Sequence, residues 1–198
     1  MRKPLDDTSL DILFRTGRSY NGFTDAPVTN ADIRAIYDLL KMGPTSANMQ
    51  PARFVWVTSQ AAKEKLAPLT SGTNAAKILK APATVIIAMD LDFNAHMPTL
   101  FPHAPDAKDW FGGTPTDRTP HAFRNSTLQG AYLLMAARAL GFDTGPMSGF
   151  DNAAVDAAFF ADQPNVKSNF LSTIGHGDPA TIFGRLPRPD FERFNTVL

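Results

Sequence analysis

Five short stretches of the 198-residue chain gather glycine, proline, hydroxyl and amide side chains. They are "GRSYNGF" (17–23), "GPTSANMQP" (43–51), "GTNAAK" (72–77), "GPMSGF" (145–150) and "GRLPR" (184–188). Arg18, Lys77 and Arg185 bring positive charge to three of them. Charged donors beside hydroxyls and free backbone N–H groups are what a phosphate needs. Ser, Asn and Gln side chains and turn amides can also hydrogen-bond the edge of a heteroaromatic ring. Taken singly, each stretch reads as a turn, since Gly and Pro set unusual backbone angles and small polar side chains satisfy loose amides.

Other chemistry finds little support. There is no G-x-x-x-x-G-K-[ST] phosphate loop and no G-x-G-x-x-G after a strand. His96, His103, His121 and His176 show no metal-ligand spacing. "PMSGF" is not the G-x-S-x-G elbow of a hydrolase.

The elements that must position these stretches follow from periodicity. A helix is predicted over 8–16 with Thr8 or Ser9 as its N-cap. A second opens at Thr29, where Thr29 and Asp32 have capping-box spacing, and ends at Gly43. "RFVWVT" (53–58) reads as a strand; Ser59 caps a short helix, and another covers roughly 74–80. "ATVIIAMD" (83–90) is a continuous apolar run, as in a strand buried on both faces. Residues 91–118 show no period and read as a long aromatic-bearing loop that could act as a lid. A long helix is predicted over 120–140, apolar nearly all round from Leu128 onward. "TGPMSGF" reads as a junction, Asp151 caps a short helix, 167–177 is a strand, and the tail from 185 is extended. Few strands among many helices give an α+β class, a small central sheet covered by helices, in one domain spanning 1–198.

Composition narrows the function classes. Nineteen basic and nineteen acidic residues cancel, so there is no electrostatic footprint for nucleic acid or an anionic membrane. The absence of cysteine excludes disulfides, thiolate metal sites and a cysteine nucleophile, and agrees with a reducing compartment. The N-terminal residues lack an apolar signal core, and "GAYLLMAARAL" is too short to cross a bilayer. A cytoplasmic protein with a small-molecule ligand is expected.

The five stretches, in this order, resemble the FMN-dependent nitroreductase family. "GPTSANMQPARF" is similar to the family's P-[ST]-S-x-N-x-Q-P-W segment beside the flavin. "GRSYNGF" stands in place of its N-terminal phosphate loop, and Asn74 and Lys77 match an Asn/Lys pair three apart. "GPMSGF" matches the P-x-x-G turn at the flavin N5, and Arg185 a C-terminal arginine that returns to the phosphate. "GPTSAN", "DTGPMSGFD", "AFRNS" and "LFPH" look like the malonic semialdehyde reductase subgroup called RutE and HadB. The chain departs from the general pattern at Asn21, where a basic residue is common, at Arg53 in place of an aromatic, and at Ser148 where some members have Glu.

The resemblance implies a nitroreductase-like fold in an interlocked homodimer, with the 185–198 tail contacting the partner subunit. It implies FMN as cofactor, NADH or NADPH as co-substrate, and two-step hydride transfer to malonic semialdehyde. A general nitroreductase or quinone reductase and a flavin-binding protein without turnover are the alternatives. The implied cofactor-binding residues are Arg18, Ser19, Asn21, Pro44, Thr45, Ser46, Asn48, Gln50, Asn74, Lys77, Pro146, Met147, Ser148, Gly149 and Arg185. Lys77, Ser148 and Gly149 are the flavin-tuning candidates, with no obligatory catalytic side chain and no metal. Arg53 and Arg124 are candidate anchors for a substrate carboxylate, or structural cations paired to a nearby acid.

Overall fold

A computed structural model describes residues 3–198. The chain starts with α1 (Asp7–Leu10), which runs on as a wider turn over Asp11–Arg15. Its N-cap is Asp6, which accepts from the Ser9 amide at 2.8 Å, rather than Thr8 or Ser9. Asp6 starts the helix two residues earlier than expected, its carboxylate satisfying one of the orphan N–H groups of the first turn. Helix α2 (Asn30–Leu40) opens with the expected capping box: Thr29 Oγ1 accepts from the Asp32 amide at 3.2 Å, and the Asp32 carboxylate accepts from the Thr29 amide at 2.8 Å.

There follow β1 (Ala52–Val57), α3 (Gln60–Leu66), α4 (Asn74–Lys80), β2 (Ala83–Asp90), α5 (Met97–Leu100), α6 (Pro115–Ala139), β3 (Asp143–Met147), α7 (Asn152–Phe159), β4 (Val166–Gly175) and α8 (Phe191–Phe194). The four strands pair antiparallel in the order β1-β2-β4-β3, so β1 and β3 are the two edges. The apolar run of β2 lies in the middle with nearly every side chain buried, as its composition requires. One face packs Ile86, Leu171 and Met147 against Leu66, Ile78 and Val155 of α3, α4 and α7. The other packs Val85, Ile87 and Ile174 against Ile36 and Leu40 of α2 and Leu133 and Ala137 of α6. The class is α+β, with helices on both faces of a small sheet.

Three further expectations need correction. The junction "TGPM" is the edge strand β3. Gly145 and Pro146 hid it, since proline is tolerated in a sheet where its missing N–H faces an edge. Residues 91–118 are not an irregular loop: turns over Phe93–His96, Met97–Leu100 and Pro105–Asp109 fold around buried Phe93, Met97 and Ala107, together with Met49 and Ala122. Turns this short carry too few residues to show a period. The long helix starts five residues before Pro120, because Thr114 and Asp117 form a second capping box and Pro115 occupies the first helical position. Leu128 on that helix and its C-cap Leu140 are also exposed, so the apolar C-terminal half is only partly covered. Among the described residues no helix is long and apolar enough to cross a membrane.

Candidate functional site

The edge strand β3 joins two of the polar stretches. Along its N-terminal half the 17–23 segment lies beside it: Ser19 bridges Thr144, and the Tyr20 amide donates to the Thr144 carbonyl at 3.0 Å. Gly145 permits this approach, since a Cβ there would sit 2.6 Å from the Tyr20 carbonyl oxygen. The tail returns to the same place from 160 or more residues away. Arg185 Nη2 donates to the Gly17 carbonyl at 3.1 Å, Asn21 Nδ2 to the Thr181 carbonyl at 2.9 Å, and Arg18 to the Phe183 carbonyl. Together they border a cleft of about 460 Å³ lined by Arg18, Ser19, Asn21, Arg138, Arg185 and Arg188. The four arginines make no salt bridge among the described residues. Asn21 is spent on clamping the tail, whereas Ser19 stays exposed.

Beyond the C-terminal end of β3 lies the second group. Asn74 Nδ2 donates to the Gly149 carbonyl at 3.0 Å, and the Ser71 amide donates to the same oxygen at 2.9 Å. A Cβ on Gly149 would stand 3.0 Å from Asn74 Nδ2, so glycine is what lets the amide close in. Lys77 is half-buried one turn along α4. Pro146 and Ser148 are exposed, while the Met147 side chain is in the core and leaves only its main chain for a ligand.

The third group, "GPTSANMQP", sits before β1 on the opposite edge of the sheet. Ala47, Asn48 and Gln50 all adopt left-handed backbone angles, with φ of 46°, 49° and 43°. Each such residue without glycine costs on the order of 1–2 kcal/mol, so the surroundings must impose the shape. Helix α6 does so with three side chains on one face. Asn125 Oδ1 accepts from the Ser46 amide at 2.8 Å, Gln129 Oε1 accepts from the Ala52 amide at 2.8 Å, and the Tyr132 hydroxyl donates to the Pro44 carbonyl at 2.9 Å. Gln129 Nε2 also donates to Gln50 Oε1 at 2.6 Å, and Gln50 Nε2 to Asn48 Oδ1 at 3.0 Å. Thr45 Oγ1 accepts from the Gln50 amide at 3.2 Å, and Asn48 Nδ2 donates to the Leu100 carbonyl at 2.8 Å. Gln50 and Asn48 therefore brace the loop with their own amides, while Pro44 and Ser46 face solvent.

Arg53 donates to Asp90 Oδ2 at 2.5 Å, and the Asp90 side chain is only 12% exposed. This pairing fits the structural reading of Arg53. Arg124 is exposed and makes no salt bridge among the described residues.

Sequence reasoning missed four residues that position the site: Asn125, Gln129, Tyr132 and Arg138. The first three had a readable signal, an N-x-x-x-Q-x-x-Y spacing that puts polar groups on the face of a helix expected to be buried. Arg138 had none, because a cation in a helix's last turn ordinarily serves the helix dipole. Burial pushes its guanidinium below the ordinary arginine value; the Asp143 charge opposes that shift and Arg185 adds to it.

Fold and site together define an α+β protein with an arginine-rich cleft at one end of an edge strand and an amide-lined turn at the other. Residues 15–176 match the nitroreductase family. The chain is 58% identical over 192 residues to a protein of Xanthomonas oryzae pv. oryzae assigned as NADH dehydrogenase/NAD(P)H nitroreductase, covering 97% of each chain. It is 55% identical over 194 residues to a protein of the same assignment from Caulobacter vibrioides, covering 98% of each. A nitroreductase-type structure in complex with FMN from Exiguobacterium sibiricum superposes with a TM-score of 0.83 at 19% identity over 99% of both chains. The chain belongs to the nitroreductase family and has its fold.

Proposed function

We propose that this chain is a homodimeric, NAD(P)H-dependent FMN oxidoreductase. The observation that carries the reading is the layout along β3: four arginines that make no salt bridge among the described residues at one end, and Asn74, Lys77 and the Gly149 turn at the other. That donor set fits a ligand with a phosphate at one end and a polar ring system at the other. Arg18, Ser19 and Arg185 bind the phosphate, and Asn21 keeps the tail closed over it. Asn74 and Lys77 bind ring and ribityl oxygens, and the cation of Lys77 stabilises negative charge on a reduced ring. The main chain of 146–149, with the Ser148 hydroxyl, faces the reacting edge. The bound flavin would supply the hydride chemistry, passing two electrons from nicotinamide to acceptor.

The strained 44–50 loop lies on the far edge of the sheet, three inter-strand spacings or ~14 Å from β3. We place it at the flavin of a second copy rather than at this chain's own. Exposed Leu128 and Leu140, and a tail bearing exposed Phe183, Leu186, Phe191, Phe194, Val197 and Leu198, supply apolar surface for that contact.

The acceptor proposed is malonic semialdehyde, reduced to 3-hydroxypropionate, on the strength of the "GPTSAN", "DTGPMSGFD" and "AFRNS" motifs. With Arg53 tied to Asp90, Arg124 is the cation left for the substrate carboxylate. It precedes Asn125, the residue that holds Ser46. A general nitroreductase or quinone reductase is the second reading, favoured by the assigned activities of the relatives.

Titration of apoprotein with FMN tests the cofactor. Arg18→Ala and Arg185→Ala should each weaken binding by roughly ten- to a hundredfold, the worth of one charge-assisted bond. Unchanged affinity in both refutes the assignment. Turnover with NADH or NADPH and either malonic semialdehyde or a neutral quinone then separates the acceptors. Arg124→Ala should lower kcat/KM for the aldehyde acid alone. A wild type active only on the quinone sinks the aldehyde reading.

A further inference from the structure

We propose that Arg138 is a phosphate-binding residue of the β3 cleft, acting with Arg18 and Arg185 to select a phosphate monoester dianion over the same ligand without its phosphate. The inference rests on the flavin reading above and goes one residue beyond it.

Arg138 is out of place for a helix-terminal cation. Such residues ordinarily lie in solvent and interact with the last carbonyls. Its guanidinium instead turns inward onto residues 13–17. Nη1 donates to the Leu13 carbonyl at 2.9 Å, its one hydrogen bond among the described residues. Of five guanidinium N–H groups, four are then left without an acceptor among the described residues. The group also lies flat on Gly17, where a Cβ would stand 2.8 Å from Nη1 and 2.9 Å from Cζ. Gly17 is thus the residue that admits the guanidinium next to the backbone of Arg18.

The charge balance points the same way. Asp143 is the acid whose field reaches Arg138, but one of its oxygens accepts from the Gly177 amide at 2.9 Å and it forms no salt bridge with the arginine. Arg185 lies close enough to disfavour the charged form. A half-buried cation among like charges, with donors that meet no protein acceptor among the described residues, gains when an anion joins it in the cleft. A dianion with three terminal oxygens satisfies several guanidinium forks at once. The cleft lining includes Arg138 beside Arg18, Ser19 and Arg185.

The test uses full-length apoprotein titrated with FMN and with riboflavin, followed by flavin fluorescence. Wild type should prefer FMN. Arg138→Met should lose ten- to a hundredfold in FMN affinity, as expected for one charge-assisted contact, and leave riboflavin affinity unchanged. Arg138→Lys should recover part of the loss, because it restores charge without the fork. Gly17→Ala displaces the guanidinium without removing it and should reduce the FMN preference in the same direction. Inorganic phosphate should raise the Tm of the wild-type apoprotein more than that of Arg138→Met. Equal losses for both flavins would reduce Arg138 to a brace for residues 13–17 and overturn the proposal. If Arg138→Met does not fold, Gly17→Ala decides: an unchanged FMN preference there overturns it. A wild type that binds neither flavin refutes the parent reading. A wild type that prefers FMN while Arg138→Met keeps that preference refutes this inference alone.

Discussion

Replacing Gln129 by leucine should unfasten the loop before β1 while leaving the volume of α6 nearly intact. Gln129 is 4% exposed, and its two amide atoms face different partners. Ala52 N–H needs an acceptor at 2.8 Å, which fixes Oε1 toward the strand and Nε2 toward Gln50 Oε1 at 2.6 Å. Leucine leaves the buried Ala52 amide unsatisfied, at about 1–3 kcal/mol, and removes the bond to Gln50, at about 0.5–1.5 kcal/mol. The sum is about 1.5–4.5 kcal/mol, or about 3–18 °C in Tm for a chain of this size. Gln129→Glu keeps the acceptor for Ala52 but places a carboxylate against Gln50 Oε1. Rotation of the Gln50 amide can relieve that, so its cost should be smaller. Denaturant unfolding of apoprotein measures both. FMN binding should fall with stability in the leucine variant, because Asn48 and Gln50 lose the support for their left-handed angles. A leucine variant within 0.5 kcal/mol of wild type, a margin typical of surface changes, would refute the reasoning.

Arg53→Ala should cost about 1–3 kcal/mol of stability: breaking a buried pair costs about 3–5 kcal/mol, discounted here because Arg53 is 31% exposed. It should lower kcat/KM for malonic semialdehyde and for a quinone alike, and a loss confined to the aldehyde acid would return Arg53 to the substrate. Gly145→Ala should destabilise by about 1–3 kcal/mol and weaken FMN binding, since its Cβ would meet Thr173 Oγ1 at 2.4 Å and the Tyr20 carbonyl at 2.6 Å; unfolding and flavin titration together check it, and unimpaired binding would uncouple the 17–23 segment from β3. Deleting residues 188–198 should shift the protein toward monomer and loosen flavin at once, read by sedimentation and by retained flavin colour. A truncated chain that stays dimeric and fully flavinated contradicts the role given to the tail.

The parts of this protein that were legible in sequence are those governed by local rules. The Thr29 capping box, the apolar run of β2 and the Asp151 cap all appear where their residues say, because each depends on neighbours within a turn or on uniform burial. What stayed hidden depends on partners far along the chain. Asp-Thr-Gly-Pro-Met has the composition of a turn, and becomes a strand because Gly175 to Leu171 run antiparallel beside it. The 91–118 stretch has no period because its order comes from Arg118 reaching back to the Leu91 carbonyl and to Asp92 at 2.7 Å. The candidate site divides in the same way. Motif order paired Arg18 with Arg185 at one end of β3 and Asn74 with the Ser148–Gly149 turn at the other, since a turn's residues travel as a unit. The residues that hold those turns in shape come from α6, where Asn125, Gln129 and Tyr132 look like misplaced polar groups in a buried helix. Their meaning emerges only once the left-handed angles of Ala47, Asn48 and Gln50 are seen, for strain of that kind must be held by something outside the loop. A polar residue on a buried helical face is therefore the feature to follow in such a chain: its cost in isolation implies a partner, and here the partner is the strained loop before β1.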